Sequence, residues 1–435
     1  MSLPDLIEIV PLDKPVRAQI TVPGSKSITN RALILAALAD GEVTLTGALW
    51  SEDTQIMVEC LRRLGFEIRV ENDPEEFSNR TLTVRGRGGK IPNGGTAERP
   101  LELFVGNAGT AARFLSALVC LGNGVYRLHG VPRMHERPQA ALFQALRELG
   151  YRVEPEGGND KLPARIFGEG AKEGKCHVSI EESSQFASAL LLGAKVGGWQ
   201  VEIIGENAEE SPYVAMTSRM IQAFPHRGGK FQIEPDASSG SYFWAAGWLL
   251  AKTWRQEIGE IAVSRWPSGP GQVDAGFIRF VGRDGFGLPA EISRKRDLGD
   301  SIMTAIVLAP FAEQPVRFVD LGRLRLQETE RVVALRTELT RCGAKVIEEG
   351  DTLTVYPSPL HGAEIETYHD HRLAMCFAIL GLKVPGIKIR NPSCVKKTFP
   401  NFFQKLAAPP PQGLGATIWD AKTQRKLGGD ELLAE

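Results

Sequence analysis

The chain repeats one local pattern, in which an amphipathic helical segment is followed by a glycine and then by a short β-rich run. Clear copies are Ile56–Leu64 with Gly65, Ala140–Leu149 with Gly150, Met220–Phe224 with Gly228, and Val332–Cys342 with Gly343. Apolar residues at helical spacing bury one face, glycine accepts the left-handed conformation after the helix, and a strand then leaves. A recurrence of roughly 65–85 residues is too long for a solenoid, whose repeats span about 20–50 residues. The pattern predicts an α/β fold; repetition of a whole subdomain stays open, because helix, glycine and strand also follow one another in unrelated α/β proteins.

The length and composition describe a folded protein of more than one domain without a dominant charge. A chain of 435 residues is too long for one hydrophobic core, so two or three domains are expected. The hydrophobic fraction of 43% and the charged fraction of 24% are typical of globular proteins. Since the formal net charge is -1, no overall field attracts nucleic acid or an acidic membrane. Anion binding must therefore come from local clusters of Lys and Arg.

The cysteines and the apolar segments indicate a reducing, aqueous compartment. Six cysteines are spread along the chain without a Cys-x-x-Cys pair, which argues against a disulfide framework. Met1–Ala18 lacks the apolar stretch of a secretory signal. The longest apolar runs, Tyr242–Ala251 and Leu373–Leu382, are shorter than the roughly 20 residues of a membrane span and are predicted to be buried helices. We expect a cytoplasmic protein whose tail after Phe403 is peripheral.

Three segments place small or hydroxyl residues at the start of an apolar helix, where backbone N–H groups and the helix dipole favour anions. The segments are Gly24–Arg31, Gly106–Arg113 and Ser183–Gln185. Lys26 and Arg31 add two full charges to the first segment, although a cation in the first turn opposes the dipole. The other two segments are also explained by a tight strand-to-helix turn and by an ordinary helix N-cap.

Charged residues in the rest of the chain also stand where elements open. Arg133 lies in a loop bounded by two prolines, Asp300 precedes an apolar run, and Glu328 stands three residues before Arg331. An exposed loop, a helix cap and a surface ion pair are the alternative interpretations. His369–Arg372 opens the most apolar helix. Its two histidines do not share a helix face and no second His or Cys pair accompanies them, so an anion site with Arg372 is favoured over a metal site.

Nine ordered segments resemble those of the 5-enolpyruvylshikimate-3-phosphate synthase family of enolpyruvyl transferases. They read GSKSITNR at 24–31, GNAGTAAR at 106–113, PRMHERP at 132–138, SSQFASALL at 183–191, DASSGSYF at 236–243, GDSIMT at 299–304, ETER at 328–331, HDHRLAM at 369–375 and KKTFPNFF at 396–403. The related transferase of peptidoglycan synthesis uses a reactive cysteine in a loop of its N-terminal half and a GAKN-type segment, and this chain has neither.

The resemblance implies a particular α/β architecture. It consists of two similar domains, each of three βαβαββ-type repeats around internal helices, the inside-out α/β barrel of the enolpyruvyl transferase fold. The expected domains are residues 22–237 and residues 1–21 plus 238–435, with the active site in the cleft between them. The implied activity transfers the enolpyruvyl group of phosphoenolpyruvate to the 5-hydroxyl of shikimate 3-phosphate, in aromatic amino-acid biosynthesis. It releases phosphate through a tetrahedral intermediate.

The resemblance also implies roles for individual residues. Asp300 would accept the proton of the 5-hydroxyl, and Glu328 with Lys26 or Lys397 would manage protonation of the methylene carbon. Shikimate 3-phosphate would be held by Lys26, Ser27, Arg31, Ser183, Ser184, Gln185 and Tyr213. The phosphoenolpyruvate pocket would contain Asn107, Gly109, Arg133, Arg331, Arg372 and Lys397, with Lys26 and Gln185 reaching both substrates. Neither a metal nor an organic cofactor is implied. We expect a monomer with no nucleic-acid or membrane partner.

Four positions depart from the family pattern. Glu210 stands where a serine usually binds the acceptor phosphate, Gln327 where a lysine commonly binds the acceptor, Arg323 where an asparagine often lies, and Phe114 where many members have proline. The acceptor side is therefore altered, and Arg323 or Arg325 is a candidate for the missing cation. Two alternatives follow: an enolpyruvyl transferase for a different hydroxylated phosphate, or a non-catalytic anion-binding relative.

Overall fold

The computed structural model describes residues 3–205, 212–254, 260–269, 271–281 and 287–434. The chain forms two compact units, one made of Met1–Pro23 and Pro235–Glu435 and the other of Gly24–Glu234. Each unit has its own hydrophobic core. The first unit therefore combines both ends of the chain, whereas the second is one continuous segment.

The secondary structure alternates between strands and helices along the described chain. The N-terminal strands are β1 (Leu6–Ile9) and β2 (Ala18–Ile20). The continuous unit contains α1 (Lys26–Leu38), β3 (Glu42–Leu49), α2 (Glu52–Arg63), β4 (Ile68–Asn72), β5 (Asn79–Arg85), β6 (Leu101–Phe104), α3 (Gly109–Leu118), β7 (Asn123–His129), α4 (Pro132–Glu136), α5 (Ala140–Glu148), β8 (Val153–Pro155), β9 (Ala164–Glu169), β10 (Gly174–Ser179), α6 (Gln185–Gly197), β11 (Trp199–Ile204), α7 (Pro212–Ala223) and β12 (Gly229–Gln232).

The remaining elements belong to the unit that includes both chain ends. They are α8 (Ala237–Trp254), β13 (Ile261–Val263), α9 (Ile278–Val281), β14 (Glu291–Ser293), α10 (Ile302–Leu308), β15 (Val316–Val319), α11 (Arg331–Arg341), β16 (Val346–Glu349), β17 (Thr352–Val355), β18 (Glu364–Ile365), α12 (His371–Gly381), β19 (Ile387–Arg390), α13 (Phe402–Ala407), β20 (Ile418–Asp420) and β21 (Arg425–Lys426).

The helix, glycine and strand pattern of the sequence is confirmed. Helices α2, α5 and α11 are each followed by a glycine in the left-handed region and then by the strand β4, β8 or β16. The φ angles of Gly65, Gly150 and Gly343 are 93°, 84° and 94°. A side chain with a Cβ rarely adopts such angles, so glycine at these positions lets the chain turn sharply into the strand.

Three of the sheets within the described residues share one topology. In each, two neighbouring strands are parallel and two further strands follow antiparallel, in the orders β12-β3-β5-β4, β6-β7-β9-β8 and β14-β15-β17-β16. The five-stranded sheet β18-β19-β1-β20-β21 begins in the same way. The pairs β10-β11 and β13-β2 keep only the parallel step. In four of the six sheets formed by the described residues the parallel pair is joined by one helix, namely β6-β7, β10-β11, β14-β15 and β18-β19, whereas β12-β3 and β13-β2 pair strands that are distant in the chain.

The helices that each connect two of these strands form the interior of each unit. Among the described residues of the continuous unit, α1, α3 and α6 contact one another, and α8, α10 and α12 do so in the other unit. In α3, α10 and α12 almost every residue is buried. Helices that are apolar on all sides are stable only inside a core. The predicted buried helices at Tyr242–Ala251 and Leu373–Leu382 are thus confirmed as parts of α8 and α12.

The tail after Phe403 belongs to the core, so the expectation of a peripheral tail is wrong. Strand β20 pairs with β1 between Ile7 and Asp420, and β21 extends the same sheet. Leu414, Ile418 and Leu432 are buried. The segment was predicted to be peripheral because it is polar and proline-rich. Its few apolar residues are widely spaced in the sequence, and each is buried at a different place in the unit.

Candidate active site

In the continuous unit, three buried helices begin close to one another. The Gln185 side chain at the start of α6 donates to the Thr110 hydroxyl at the start of α3, at 3.2 Å. The guanidinium of Arg31, in the first turns of α1, lies 5.2 Å from the centre of the Phe114 ring in α3. The N-terminal turns of the three helices therefore converge, which concentrates the positive ends of their dipoles in one place.

Arg31 is held by protein groups at all three of its guanidinium nitrogens. Nε donates to Thr217 at 2.7 Å, Nη2 donates to Ser188 at 2.9 Å, and Nη1 donates to the carbonyl of Ser27 at 2.9 Å. Burial lowers the pKa of Arg31 to about 10, and nearby Tyr213 opposes this shift. The structure thus brings Arg31, Ser27 and Tyr213 together, with the arginine joining α1 to α6 and α7.

Lys26 forms an ion pair that the sequence analysis missed. Its Nζ lies 3.0 Å from Asp53 Oδ2, and the exposed fractions of the two side chains are 15% and 4%. Asp53 lies in the first turn of α2, where an acidic side chain is favoured by the helix dipole. In the sequence, Ser51-Glu52-Asp53 is explained equally well by ordinary capping of a helix, so it does not indicate an ion pair with Lys26.

Gly109 allows two arginines to approach the start of α3. A Cβ at this position would lie 2.3 Å from Arg113 Nη1 and 2.5 Å from Arg137 Nη2. Arg137 Nη1 also donates to the carbonyl of Asn107 at 3.1 Å. Gly109 and Asn107 are therefore placed beside two buried guanidinium groups, whereas Arg133 forms an exposed ion pair with Glu136 at 2.6 Å.

The hydroxyls of Ser183 and Ser184 stand at the start of α6. The Ser183 hydroxyl accepts a hydrogen bond from the Gln185 amide at 3.2 Å, and Ser184 is buried. Together with the Gln185 side chain they supply neutral donors beside a helix N-terminus, a combination suited to phosphate.

The other unit has a corresponding arrangement at the starts of α8, α10 and α12. Arg372, in the first turn of α12, donates to the Ser238 hydroxyl in α8. Its Nη2 lies 3.3 Å from Asp300 Oδ2, just before α10. Asp370 caps α12 by accepting from the Arg372 amide at 2.8 Å. Again three helix starts converge, here around a carboxylate.

Asp300 is surrounded by arginines. Arg294 Nη2 donates to Oδ1 at 2.9 Å, while Arg372 and Arg331 lie 3.3 and 3.9 Å from Oδ2. Burial by itself would raise the pKa of Asp300, but Arg372, Arg294 and Arg331 together hold it well below its usual range. Asp300 is therefore an ionised acceptor and does not cap α10, where Ser301 is the N-cap residue.

Arg331 lies at the centre of a second carboxylate group. Its Nε donates to Asp370 at 2.6 Å and its Nη2 lies 2.9 Å from Glu328, so Glu328 and Arg331 form a largely buried pair and not the surface ion pair of the alternative interpretation. Glu328 Oε1 lies 3.4 Å from Lys397 Nζ. Burial would lower the pKa of Arg331, but Asp370, Glu328 and Asp300 raise it above its ordinary value. The structure thus brings Asp300, Glu328, Arg331, Arg372 and Lys397 into one cluster.

The positions that depart from the family pattern make different kinds of contact. Gln327 accepts a hydrogen bond from Arg331, and Phe114 packs beside Arg31. Arg325 forms ion pairs with Glu330, Glu348 and Asp351. These pairs direct it toward β16 and the turn after it. Arg323 lies in the short 3-10 helix Gly322–Leu326, and Glu210 lies outside the described residues.

Arg294 was also missed by the sequence analysis. It follows β14 within the charged run Arg294-Lys295-Arg296-Asp297, which on its sequence is indistinguishable from a solvated turn. Arg294 is buried, whereas Lys295 and Arg296 are exposed. The sequence does not indicate which of these three cations is buried.

Within the described ranges, no three His, Cys, Asp or Glu side chains are grouped so that they could hold a metal ion. The same residues include no helix with the length and hydropathy needed to cross a bilayer.

Comparison with known proteins places these clusters in a family context. The family model described as EPSP synthase (3-phosphoshikimate 1-carboxyvinyltransferase) matches residues 11–406. A 3-phosphoshikimate 1-carboxyvinyltransferase of Opitutus terrae is 39% identical, over 94% of this chain and 98% of that protein. One of Trichormus variabilis is 37% identical, over 92% of this chain and 98% of that protein.

Solved structures show the fold. An EPSP synthase from Acinetobacter baumannii superposes with a TM-score of 0.71 at 22% identity, covering 95% of this chain and 99% of that one. The enolpyruvyl transferase NikO from Streptomyces tendae has a TM-score of 0.64 at 17% identity, covering 98% and 100%. The predicted enolpyruvyl transferase fold is therefore confirmed.

Proposed function

Because this chain belongs to the EPSP synthase family, we propose that it transfers the enolpyruvyl group of phosphoenolpyruvate to the 5-hydroxyl of shikimate 3-phosphate and releases phosphate. The observation that carries the proposal is the cluster of two carboxylates, Asp300 and Glu328, around the buried Arg331. Such a cluster provides a proton acceptor, a second proton carrier and fixed positive charge for anionic substrates.

In the proposed reaction, Asp300 takes the proton of the 5-hydroxyl as the hydroxyl oxygen bonds to C2 of phosphoenolpyruvate. The methylene carbon C3 gains a proton in the same addition, which gives a tetrahedral intermediate. Elimination then breaks the bond from C2 to the phosphate oxygen, and C3 loses a proton to restore the double bond. The close approach of Glu328 to Lys397, at 3.4 Å, supports their acting together in the two proton transfers at C3, with Lys26 as the further candidate.

We propose substrate contacts for the site residues of each unit. Ser27, Arg31, Ser183, Ser184, Gln185 and Tyr213 would bind the phosphate and ring of shikimate 3-phosphate. Asn107, Gly109, Arg133, Arg331, Arg372 and Lys397 would bind phosphoenolpyruvate, with Lys26 in contact with both. The convergence of three helix N-termini in each unit supports anion binding in both halves.

The activity is tested by following inorganic phosphate when purified protein is mixed with phosphoenolpyruvate and shikimate 3-phosphate. The wild type should release phosphate. The Lys26→Met variant keeps a long, unbranched side chain but loses the charge, and it should release far less. Unphosphorylated shikimate serves as the control acceptor, and it should react poorly because the neutral donors at Ser183 and Ser184 then lack their anion. Release no faster than in the Lys26→Met protein would refute the proposal.

A second candidate is transfer to a different hydroxylated phosphate. The observation that favours it is Gln327, a neutral residue hydrogen-bonded to Arg331 at a position where the family commonly has a lysine for the acceptor. Phosphate release with another phosphorylated alcohol, and none with shikimate 3-phosphate, would select this candidate.

We also propose that the protein acts as a cytoplasmic monomer without a nucleic-acid or membrane partner. Its net charge of -1 supports this, because no overall field attracts polyanions. Light scattering during size-exclusion chromatography measures the mass of the particle, and the mass of a single chain, 47.5 kDa, is expected.

A further inference from the structure

Arg294 makes a contact that the proposed reaction leaves unexplained. It lies directly after β14, its side chain is 9% exposed, and its Nη2 donates to Asp300 Oδ1 at 2.9 Å. A hydrogen bond between ionised groups at this distance is among the stronger ones in proteins. The residue therefore holds a definite oxygen of the proposed base.

The two oxygens of Asp300 have different surroundings. Oδ1 lies within hydrogen-bond range of Arg294, whereas the arginines next to Oδ2 are 3.3 and 3.9 Å away. Both distances to Oδ2 are longer than an ordinary N–H···O hydrogen bond, which measures roughly 2.7–3.2 Å between N and O. Oδ2 is thus the oxygen that is better placed to accept a new donor.

The backbone around Arg294 is fixed by a buried serine. The Ser293 hydroxyl accepts hydrogen bonds from the amides of Lys295 and Arg296 at 3.1 Å, and the Ser293 amide donates to Asp297 at 2.8 Å. The Arg294 amide donates to the carbonyl of Val319 at 3.1 Å. A guanidinium that projects from such a fixed turn can hold a carboxylate in one orientation.

Charged groups face Asp300 from every element packed around it. Arg294 approaches from the turn after β14, Arg331 from α11, and Arg372 from α12. Asp274 lies beside it and accepts a hydrogen bond from the Ser301 amide at 2.6 Å. Asp236 and Tyr242 act on Arg372 from the α8 side, while Glu328 and Asp370 act on Arg331.

We propose that Arg294 is a positioning residue for the base, which holds Asp300 Oδ1 so that Oδ2 faces the hydroxyl of the acceptor. The inference rests on the proposed function and adds a residue to it. Arg331 and Arg372 gain an anionic partner when phosphoenolpyruvate binds, and their pull on Oδ2 then weakens. Arg294 keeps its hold on Oδ1 throughout, and the carboxylate stays oriented while it takes up the proton.

The kinetic test compares Arg294→Gln, Arg294→Lys and the matched control Arg296→Gln. Arg296 belongs to the same turn, but it is exposed and pairs with Glu291 at 3.5 Å. In Arg294→Gln we expect kcat to fall roughly tenfold to hundredfold, with KM for both substrates unchanged. Because a positive charge is lost, Asp300 binds its proton more tightly, so the acidic limb of the pH profile should move up by about one pH unit or more.

Arg294→Lys separates charge from geometry. It should lower kcat but leave the acidic limb near its wild-type position, and Arg296→Gln should change neither. If Arg294→Gln has the kcat and pH profile of Arg296→Gln while the wild type is active, the inference is overturned and the proposed function stands. A wild type that releases no phosphate instead refutes the proposed function and, with it, the premise of the inference.

A double-mutant cycle tests the contact between Arg294 and Asp300 through protein stability, without an activity assay. Urea midpoints are measured for the wild type, Arg294→Lys, Asp300→Asn and the double variant, all as the full chain. Shifts that fail to add support a direct interaction between the two side chains. Additive shifts overturn the inference.

Discussion

At the scale of single residues, the buried arginines of this protein differ mainly in what they contact. Arg31 is bound by hydroxyls and a carbonyl, and burial lowers its pKa to about 10. Arg331 is bound by carboxylates, which raise its pKa although burial would lower it. Both were predicted as substrate ligands from the resemblance to the family. The contacts of Arg31 connect three helices of its unit. The contacts of Arg331 place it within a group of carboxylates.

Asp274 gives a pH dependence whose sign follows from its surroundings. Burial, and the neighbouring Asp300, raise the pKa of Asp274 above its ordinary value. Between the unfolded pKa of about 3.9 and the raised folded value, the folded state binds more protons than the unfolded state. Its contribution to the unfolding free energy therefore decreases as the pH rises through this window.

We accordingly expect Asp274→Asn to remove this decrease. Relative to the wild type, the variant should become progressively more stable as the pH increases from about 4 toward neutrality. Urea denaturation at several pH values measures the difference. A constant difference across the window, or one that falls with rising pH, would contradict the assignment.

At the scale of elements, α12 shows how one acid fixes both a helix and a site. Asp370 caps the helix through the Arg372 amide at 2.8 Å and binds Arg331 through Nε at 2.6 Å. Both members of the Asp370–Arg331 pair are fully buried. The start of α12 is thereby tied to the start of α11, and the two arginines are held beside Asp300.

Asp370→Ala should lower the free energy of unfolding by about 3–5 kcal/mol, since it leaves a buried guanidinium without its main partner. The matched control is Asp351→Ala, which removes an acid from Arg325 in an exposed pair at 3.0 Å. An exposed pair contributes about 0–1 kcal/mol, so the control should change little. Urea denaturation of both variants checks this, and equal losses would show that burial of the pair is unimportant.

In the molecule as a whole, each unit is completed by pairing strands that lie far apart in the sequence. Strand β2 precedes α1 but pairs with β13, which follows α8. Strand β12 precedes α8 but pairs with β3, which follows α1. Each of these pairs lies within one unit, and residues 1–23 complete the sheets of the unit to which residues 235–435 also belong.

This topology predicts different behaviour for two fragments. Residues 24–234 should fold alone with one cooperative urea transition, because their sheets are complete. Residues 235–435 should be much less stable, because they lack β1, which stands between β19 and β20, and the buried Ile7 and Ile9. Circular dichroism during urea denaturation measures both fragments.

The control for the second fragment restores the missing strands. Residues 1–23 are joined to the end of residues 235–435 through a flexible linker, and this permuted chain should recover a cooperative transition. If the fragment without residues 1–23 unfolds at the same urea concentration as the permuted chain, β1 and β2 are dispensable and the interpretation of the sheets is wrong.

Local sequence patterns were enough to predict the elements and most candidates for the site. Apolar spacing and left-handed glycines such as Gly65 and Gly343 act within a few residues, so the repeated helix, turn and strand were predictable. The motifs identified the family and the candidates Lys26, Asp300, Glu328 and Arg372. These are properties of short segments, which a linear reading captures.

Which side chains meet depends on how the chain packs in three dimensions. Arg294 and Arg296 lie in one charged turn, yet Arg294 alone contacts Asp300 while Arg296 pairs with an exposed glutamate. Asp53 reaches Lys26 across 27 positions, and β1 lies between strands from the other end of the chain. The physical reason is that burial and ion pairing depend on distances in space. Those distances are set when the buried helices pack and their starts converge, and no local pattern encodes them.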